Sequence, residues 1–305
     1  MNMKPPRLQA VFMVLGCCLM LLSPVPLRGD EAEGPPATLR VLTHNVYMGF
    51  QRANEPHHGA WLEWVAGQKP DVVSLQELNG YTAEKLAEDA AAWGHPHSVL
   101  LKEDGFPVGL TSRWPIEEVV RLREGFHHGM LRGKVRGVHI YVIHFHPSDW
   151  QHRVREAGLL AQDIAALTDD DPKIILAGDF NGFSPEDREH YKQEPALVPF
   201  FEMLDQRSER ANNLNRGRID YGGIQAILDQ GFVDLQVRFR EAGDEFVGTF
   251  PSPLVADADH GPDRRLDYIF VSPNLADKVS DFVVLRDEQT ALFSDHYPLL
   301  AELEL

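Results

Sequence analysis

Two stretches of this chain, Val138–Ile143 (VHIYVI) and Ile174–Gly178 (IILAG), carry apolar side chains on both of the faces a strand presents. Successive side chains of a strand point to opposite faces, so such a run is stable only where both faces are covered. A sheet held between a second sheet and a layer of helices meets that demand.

The rest of the chain supplies the parts. Strands are expected at Leu39–Val46, Asp71–Leu78, Ser98–Lys102, Val108–Ser112, Glu118–Arg123 and Met130–Val135. The two opening runs extend to Val138–His146 and Lys173–Phe180. Arg265–Val271, Phe282–Leu285 and Tyr297–Leu305 close the chain as strands. Arg136-Gly137 has the character of a hairpin turn. Helices are expected over Trp61–Gly67, Thr82–Trp93 and Ile224–Gln230. Another opens at Ser148, with Gln151 completing a capping box, and buries Val154, Ala157, Ala161 and Ile164. Residues 186–218 read as a polar surface insertion with one helix near Leu197–Leu204. Strands joined partly by hairpins and partly by helices predict mixed sheets under helical cover, not one parallel sheet.

At 43% apolar and 25% charged residues the chain can bury a core, which excludes disorder throughout. Its 29 basic and 46 acidic residues leave a net charge of −17. That argues against tight non-specific binding to nucleic acid, unless a bound cation supplies positive charge. The two cysteines, Cys17 and Cys18, are adjacent and exclude a disulfide framework. Lys4 and Arg7 precede the apolar run Ala10–Leu22, which is shorter than the ~20 residues a membrane span needs. The segment 1–29 reads as a secretory signal peptide, 30–38 as a linker and 39–305 as one domain. The protein is expected to be secreted or periplasmic. An uncleaved anchor or a lipidated Cys17 ranks below that reading.

Polar residues stand where buried strands should have none. Asn45 ends the first strand and Glu77 the second. His144 and His146 end the hairpin strand, and Asp179 and Asn181 end or follow KIILAGDF. Asp267 interrupts RLDYIF, and Asp295 and His296 precede the last strand. Period two places Asp179 with Asn181 on one face, and His144 with His146. Burial without partners would cost on the order of several kcal/mol each, so convergence on one wet cleft is the economical arrangement. Four of these residues are carboxylates. Two carboxylates ~5 Å apart repel by ~3 kcal/mol at an effective dielectric near 20, so four together require protons or a cation. Oxygen donors without cysteine favour a hard ion: Mg²⁺, Mn²⁺ or Ca²⁺. No HExxH or paired-cysteine spacing points to structural zinc.

The ordered set HNV, LQEL, IHFHP, GDFN, RLDYIF and SDHYPL resembles the endonuclease/exonuclease/phosphatase superfamily over about Leu39 to Leu305. The resemblance implies an α/β fold, a four-layer αββα sandwich of two mixed sheets with helices on both outer faces. It implies Glu77 as the principal metal-binding glutamate, with Asn45 and Asp295 beside it. It implies His296 as the essential histidine oriented by Asp267. Asp179 would align or deprotonate the attacking water, Asn181 would steady it or the phosphate, and His144 would hydrogen-bond a phosphate oxygen. Either His296 or Asp179 serves as the base.

The expected activity is metal-dependent hydrolysis of a phosphate ester by water attack at phosphorus, in a chain expected to work as a monomer. Nucleic acid and membrane lipid both stay open as substrates. A lipid enzyme would want exposed apolar loops, for which Phe250-Pro251 and Pro199–Phe201 are the candidates. A non-catalytic binding module is the reading from another class, and the completeness of the site counts against it. His44, His57, His58, His127, His128 and His260 read as surface or loop histidines. Arg113 is balanced between phosphate binding and a surface ion pair, and Arg216 and Arg218 read as solvated.

Overall fold

The computed structural model of the protein describes residues 38–255 and 260–305, besides the first residue. The proposed signal peptide and nearly all of the linker lie outside the described residues. Among the described residues no helix is long and apolar enough to cross a membrane.

The chain opens with β1 (Thr38–Asn45), a single turn α1 (Tyr47–Phe50), α2 (His58–Gln68), β2 (Val72–Gln76) and α3 (Ala83–Ala92). A run of strands follows: β3 (His97–Leu100), β4 (Gly109–Ser112), β5 (Glu117–Leu122), β6 (Met130–Val135) and β7 (Val138–His144). Next come α4 (Trp150–Ala165) and β8 (Lys173–Asp179). Residues beyond Pro185 form α5 (Arg188–Gln193), α6 (Leu197–Arg207) and a small hairpin, β9 (Leu214–Asn215) with β10 (Arg218–Ile219). The chain closes with α7 (Gly222–Leu228), β11 (Val233–Asp234), α8 (Leu235–Arg238), β12 (Asp267–Val271), α9 (Pro273–Ala276), β13 (Val279–Val284) and β14 (Leu299–Glu304).

Two six-stranded mixed sheets result, in the orders β13-β14-β1-β2-β4-β3 and β11-β12-β8-β7-β6-β5. Each sheet holds one parallel pair, β1 with β2 and β7 with β8, and each pair is joined through helix on an outer face. The other neighbours are antiparallel. Val41, Val72 and Leu299 from one sheet pack with Ile140, Ile175 and Ile269 from the other, forming the inner core. Trp61, Val65 and Leu86 of α2 and α3 cover one outer face. Ala157 and Leu160 of α4 with Ile224 and Ile227 of α7 cover the other. This is the αββα sandwich expected from the resemblance. It also explains the doubly apolar strands: Val142 faces the inner core, while Tyr141 and Ile143 face α4.

Several local expectations are corrected. The hairpin strand ends at His144, so His146 lies in the loop beyond it. Helix α4 is capped by Asp149, whose side chain accepts from the Gln151 amide; Ser148 is not the cap. Its buried face carries Arg153, Glu156, Ala157 and Leu160, one residue round from the expected stripe. The apolar spacing alone could not reveal this, because two of those residues are charged. The 186–218 insertion is better ordered than its polarity suggests, since Tyr191, Leu197, Phe200 and Phe201 form a core of their own with Phe183. Arg136 and Gly137 both have positive φ, as the predicted tight hairpin requires.

His44 is no surface histidine. It lies inside β1, where its ring accepts from Trp61 Nε1 at 3.1 Å. Burial lowers its pKa to about 3. His95 is likewise sealed between Thr111 Oγ1 at 2.8 Å and the Pro70 carbonyl at 2.9 Å, and burial lowers it to about 4. A base whose folded pKa is depressed costs stability once the unfolded chain begins to bind protons, below ~6.5. The stability advantage of the wild type over His95→Gln should therefore shrink by about 1 kcal/mol between pH 6.5 and 5.5, read from urea unfolding at each pH. An advantage that stays constant would show that His95 is not held neutral.

Candidate active site

The geometry of the two parallel pairs decides where the polar residues go. Both members of a parallel pair end at the same edge. In one sheet the register Asn45↔Gln76 sets Asn45 beside Glu77; in the other His144 stands opposite Asp179. Strand β12 runs against β8 with Asp267 opposite Asp179, so Asp267 enters at the same edge. Thr43 pairs with Leu299, which brings Asp295 and His296, just before β14, to that edge as well. The eight residues to which the resemblance gives roles thus gather at one end of the sandwich.

The side chains bond to one another across the two sheets. Asn45 Nδ2 donates to Glu77 Oε1 at 3.2 Å and to Asp179 Oδ2 at 3.1 Å. Glu77 also accepts the Met48 amide at 3.0 Å. Asp179 accepts the Asn181 amide at 2.8 Å and its side-chain Nδ2 at 3.2 Å. The same Nδ2 reaches the Phe145 carbonyl at 3.0 Å. Glu77 and Asn181 have φ of 58° and 47°, a conformation that non-glycine residues avoid except where the surroundings enforce it. Asn181 therefore reaches Asp179 through a left-handed turn beyond β8, not through the same-face alternation of a strand.

His296 Nδ1 lies 2.8 Å from Asp267 Oδ2, and its Nε2 lies 3.9 Å from Asp179. Burial opposes a charge on this imidazole, but Asp267, Asp179 and Asp295 outweigh it and raise the pKa to about 10. Burial pushes Asp179 up as well, as Asp267 and Glu77 do, while His296 pulls it down. Burial raises Asp295 to about 6. The carboxylate crowding expected from the sequence is therefore real. His144 Nε2 stands 3.6 Å from Asp179 and 4.0 Å from Glu77. Burial drives its pKa well below the usual histidine value, so the ring is neutral.

The structure separates His144 from His146. His144 is buried in the site, whereas His146 turns away and accepts the Ser148 amide at its Nδ1. His128 is buried too, stacked on His144 with ring centroids 3.9 Å apart, and so is not a surface residue. Arg113 belongs elsewhere: it follows β4 and lies 3.5 Å from Asp71, at the far end of the sheet. Phe200, Phe201 and Phe250 are buried, so of the segments considered for entering a lipid surface the aromatic side chains are not exposed, although Pro199 is.

Among the described residues Asp179, Asp267 and His296 bring possible donor atoms within 4.8 Å of one another. Two of those three already form the His296–Asp267 pair. The cleft nevertheless presents Glu77, Asp179 and Asp295 together, and two of these are pushed up by burial. A donor set of crowded oxygens fits a hard divalent cation.

Two serine and threonine hydroxyls escaped the sequence reading. Thr249 Oγ1 donates to Asp267 Oδ2 at 2.6 Å and accepts the amides of Leu266 and Asp267 at 3.0 and 3.1 Å. Ser294 Oγ donates to the Asn45 carbonyl at 2.6 Å and accepts the His296 amide at 3.1 Å. Neither lies on a recognisable strand end, and TF and FS carry no signal of their own.

A cleft of about 420 Å³ lies over these groups, bounded by Glu77, His144, Asp179, Asp295 and His296 at its floor. Such a fold and such a floor define a phosphoric ester hydrolase. The sequence matches the Endonuclease/Exonuclease/phosphatase family over residues 42–296, and the chain belongs to that family. Among curated proteins no sequence matches it significantly. Solved structures share the fold. An AP endonuclease from Archaeoglobus fulgidus superposes with a TM-score of 0.64 at 20% identity, over 88% of this chain and 100% of the other. The 3′ phosphatase NExo from Neisseria, bound to a product DNA hairpin, gives 0.61 at 20% identity over the same shares. D. rerio TDP2, complexed with a single-strand DNA product, gives 0.60 at 15%, again over 88% and 100%.

Thr249 positions Asp267, which positions His296. Thr249→Val should lower kcat by about 10- to 100-fold with KM little changed, and Thr249→Ser should restore most of it. A change confined to KM would remove Thr249 from this chain of contacts.

Proposed function

We propose that the protein is an exported, divalent-metal-dependent hydrolase of phosphate esters. The observation that carries the reading is the buried array in which Asn45, Asn181 and His144 surround Asp179, while Asp267 holds His296. Export rests on the charged and apolar pattern of residues 1–29.

The residues divide the work as follows. Glu77, Asn45 and Asp295 would hold Mg²⁺ or a similar ion. When bound, the cation supplies Lewis-acid neutralisation of phosphate charge. Asp179 takes a proton from the attacking water. Its upward shift suits a base that works near neutrality, and the amides of Asn45 and Asn181 orient its oxygens. His296 carries its proton as an imidazolium, fixed through Nδ1 by Asp267, and presents Nε2 to the charge that builds on the phosphate. Neutral His144 donates from the side of Asp179 and needs no proton exchange to do so. Water between these groups is turned toward phosphorus by the same contacts.

Nuclease action is the second reading. Two of the similar solved structures hold DNA products, which favours it. The net charge of −17 weighs against long runs of phosphate contacts. The burial of Phe200, Phe201 and Phe250 removes the feature that would have favoured a membrane lipid.

Bis-p-nitrophenyl phosphate and p-nitrophenyl phosphate should be turned over with Mg²⁺, Mn²⁺ or Ca²⁺ and not in excess EDTA. His296→Ala and Glu77→Ala should each lower kcat by about 10²–10⁴-fold. Whichever ester is preferred separates diester from monoester chemistry. A single-stranded or abasic oligonucleotide cleaved far faster than both would establish the nuclease. Turnover that survives His296→Ala would break the assignment of His296, and turnover in EDTA would break the requirement for metal.

A further inference from the structure

Three arginines among the described residues are almost wholly buried: Arg153, Arg264 and Arg265, at 4%, 6% and 0% exposure. Arg265 is fully matched. Asp187 lies 2.6 Å from its guanidinium and Asp234 2.7 Å, and the trio pins the insertion to β12. The other two are not matched in this way. Arg264 Nη1 donates to the carbonyls of His260 and Pro262 at 2.6 and 2.8 Å, and its Nε, sealed from solvent, has no partner. Arg153 Nη1 donates to the His146 carbonyl at 3.1 Å. Among the described residues neither arginine forms an ion pair, in a chain with 46 carboxylates to choose from.

The acids that favour their charge, Asp263, Asp179 and Asp295 for Arg264 and Asp220, Glu156, Asp149 and Asp179 for Arg153, act from beyond contact, so among the described residues each buried guanidinium lacks the close anionic partner that burial calls for. Both of these border the catalytic cleft. Arg264 is held there by aromatic faces: its guanidinium carbon lies 4.5 Å from the Phe250 ring centroid, 5.3 Å from that of Phe200 and 5.5 Å from that of Phe201. Phe250 in turn lies 4.6 Å from the His296 ring, so the arginine is anchored next to the chemistry. With Nη1 engaged by two carbonyls and Nε sealed, the nitrogen left to donate to a carboxylate or phosphate is Nη2. The burial of a fixed cation lowers its own pKa only to about 10, so Arg264 is charged at neutral pH.

We propose that Arg264, with Arg153, forms a second anion site in the cleft. The natural substrate is then a compact phosphate ester carrying a further anionic group, phosphate or carboxylate, beside the scissile phosphate. Its apolar body packs on Phe250, Phe201 and Leu204. This rests on the hydrolase reading, since the scissile phosphate is placed by His144 and His296.

Three non-hydrolysable probes test it on the whole chain with Mg²⁺ present: phenylphosphonate, 4-carboxyphenylphosphonate and 1,4-phenylenebisphosphonate, each titrated by calorimetry. Both two-anion probes, or the one whose anion matches, should bind at least about tenfold tighter than phenylphosphonate. Which of the two gains more distinguishes carboxylate from phosphate. In Arg264→Met the ratio should fall toward one, and Arg264→Lys should keep part of it; unfolding midpoints show whether each variant is folded. If Arg264→Met does not fold, a ratio reduced by severalfold in Arg264→Lys carries the test, because lysine cannot keep both the carbonyl bonds and the stacking that aim the guanidinium. Phenylphosphonate bound as tightly as both others, or a ratio unchanged in the folded variants, would overturn the second site and leave the hydrolase intact. Failure of all three probes to bind would count against the hydrolase reading itself.

Discussion

One side-chain amide ties the two halves of this molecule together. Asn45 stands at the end of a strand in the first sheet and donates to Glu77 in that sheet and to Asp179 in the other. Carboxylates in so dry a place repel, and the repulsion acts to part the sheets at the edge where the chemistry lies. The inner core of Val41, Ile140, Ile175 and Ile269 supplies the opposing force. Hydrogen bonds then determine how the charges are arranged. Donors from Asn45, Asn181 and the Met48 amide each meet a carboxylate oxygen, and Thr249 closes the far side of Asp267. The site is stable as a network, and no single member of it would tolerate burial alone.

The burial that makes the carboxylates costly also sets their chemistry. His296 keeps its proton because three acids surround it, and Asp179 is pushed toward neutrality by the same lack of water. Two groups of opposite type are displaced in the same direction, one by partners and one by desolvation. Both displacements favour the proton-bearing form, so His296 stands ready as a donor, while Asp179, once ionised, is a stronger base than an ordinary carboxylate. His144 is neutral for a third reason, burial without a close enough acid.

Much of this was legible in the residues. Runs such as KIILAGD and VHIYVI announce strands covered on both faces, and polar residues at their ends announce a cleft, because buried strands otherwise exclude them. Six short motifs in order then pointed to the fold. Other parts left no trace in the pattern. Glu156 and Arg153 occupy the inner face of α4, where an apolar stripe is the natural expectation. Asp149, not the better-placed Ser148, caps that helix, because the cap follows the backbone turn more closely than the four-residue motif. The insertion looked irregular because its aromatic residues are spread through polar sequence, yet Phe183, Tyr191, Phe200 and Phe201 find one another in space. Thr249 and Ser294 act through single hydroxyls, which no spacing can distinguish from any other.

The Arg265 trio gives the fold a division of labour. Asp187 opens the insertion and Asp234 belongs to the short strand at the sheet edge, so one buried cation ties the start of the added segment to the chain leading into the strand that carries Asp267. The segment contributes Phe201 and Leu204 to the wall of the cleft but none of the groups on its floor. Part of the wall is therefore written in a different stretch of chain from the floor, fastened at Arg265 and again where Asn212 bonds to the backbone of Ser148 and Trp150. A substitution at Phe201 or Leu204 therefore reshapes the wall while every group on the floor keeps its place.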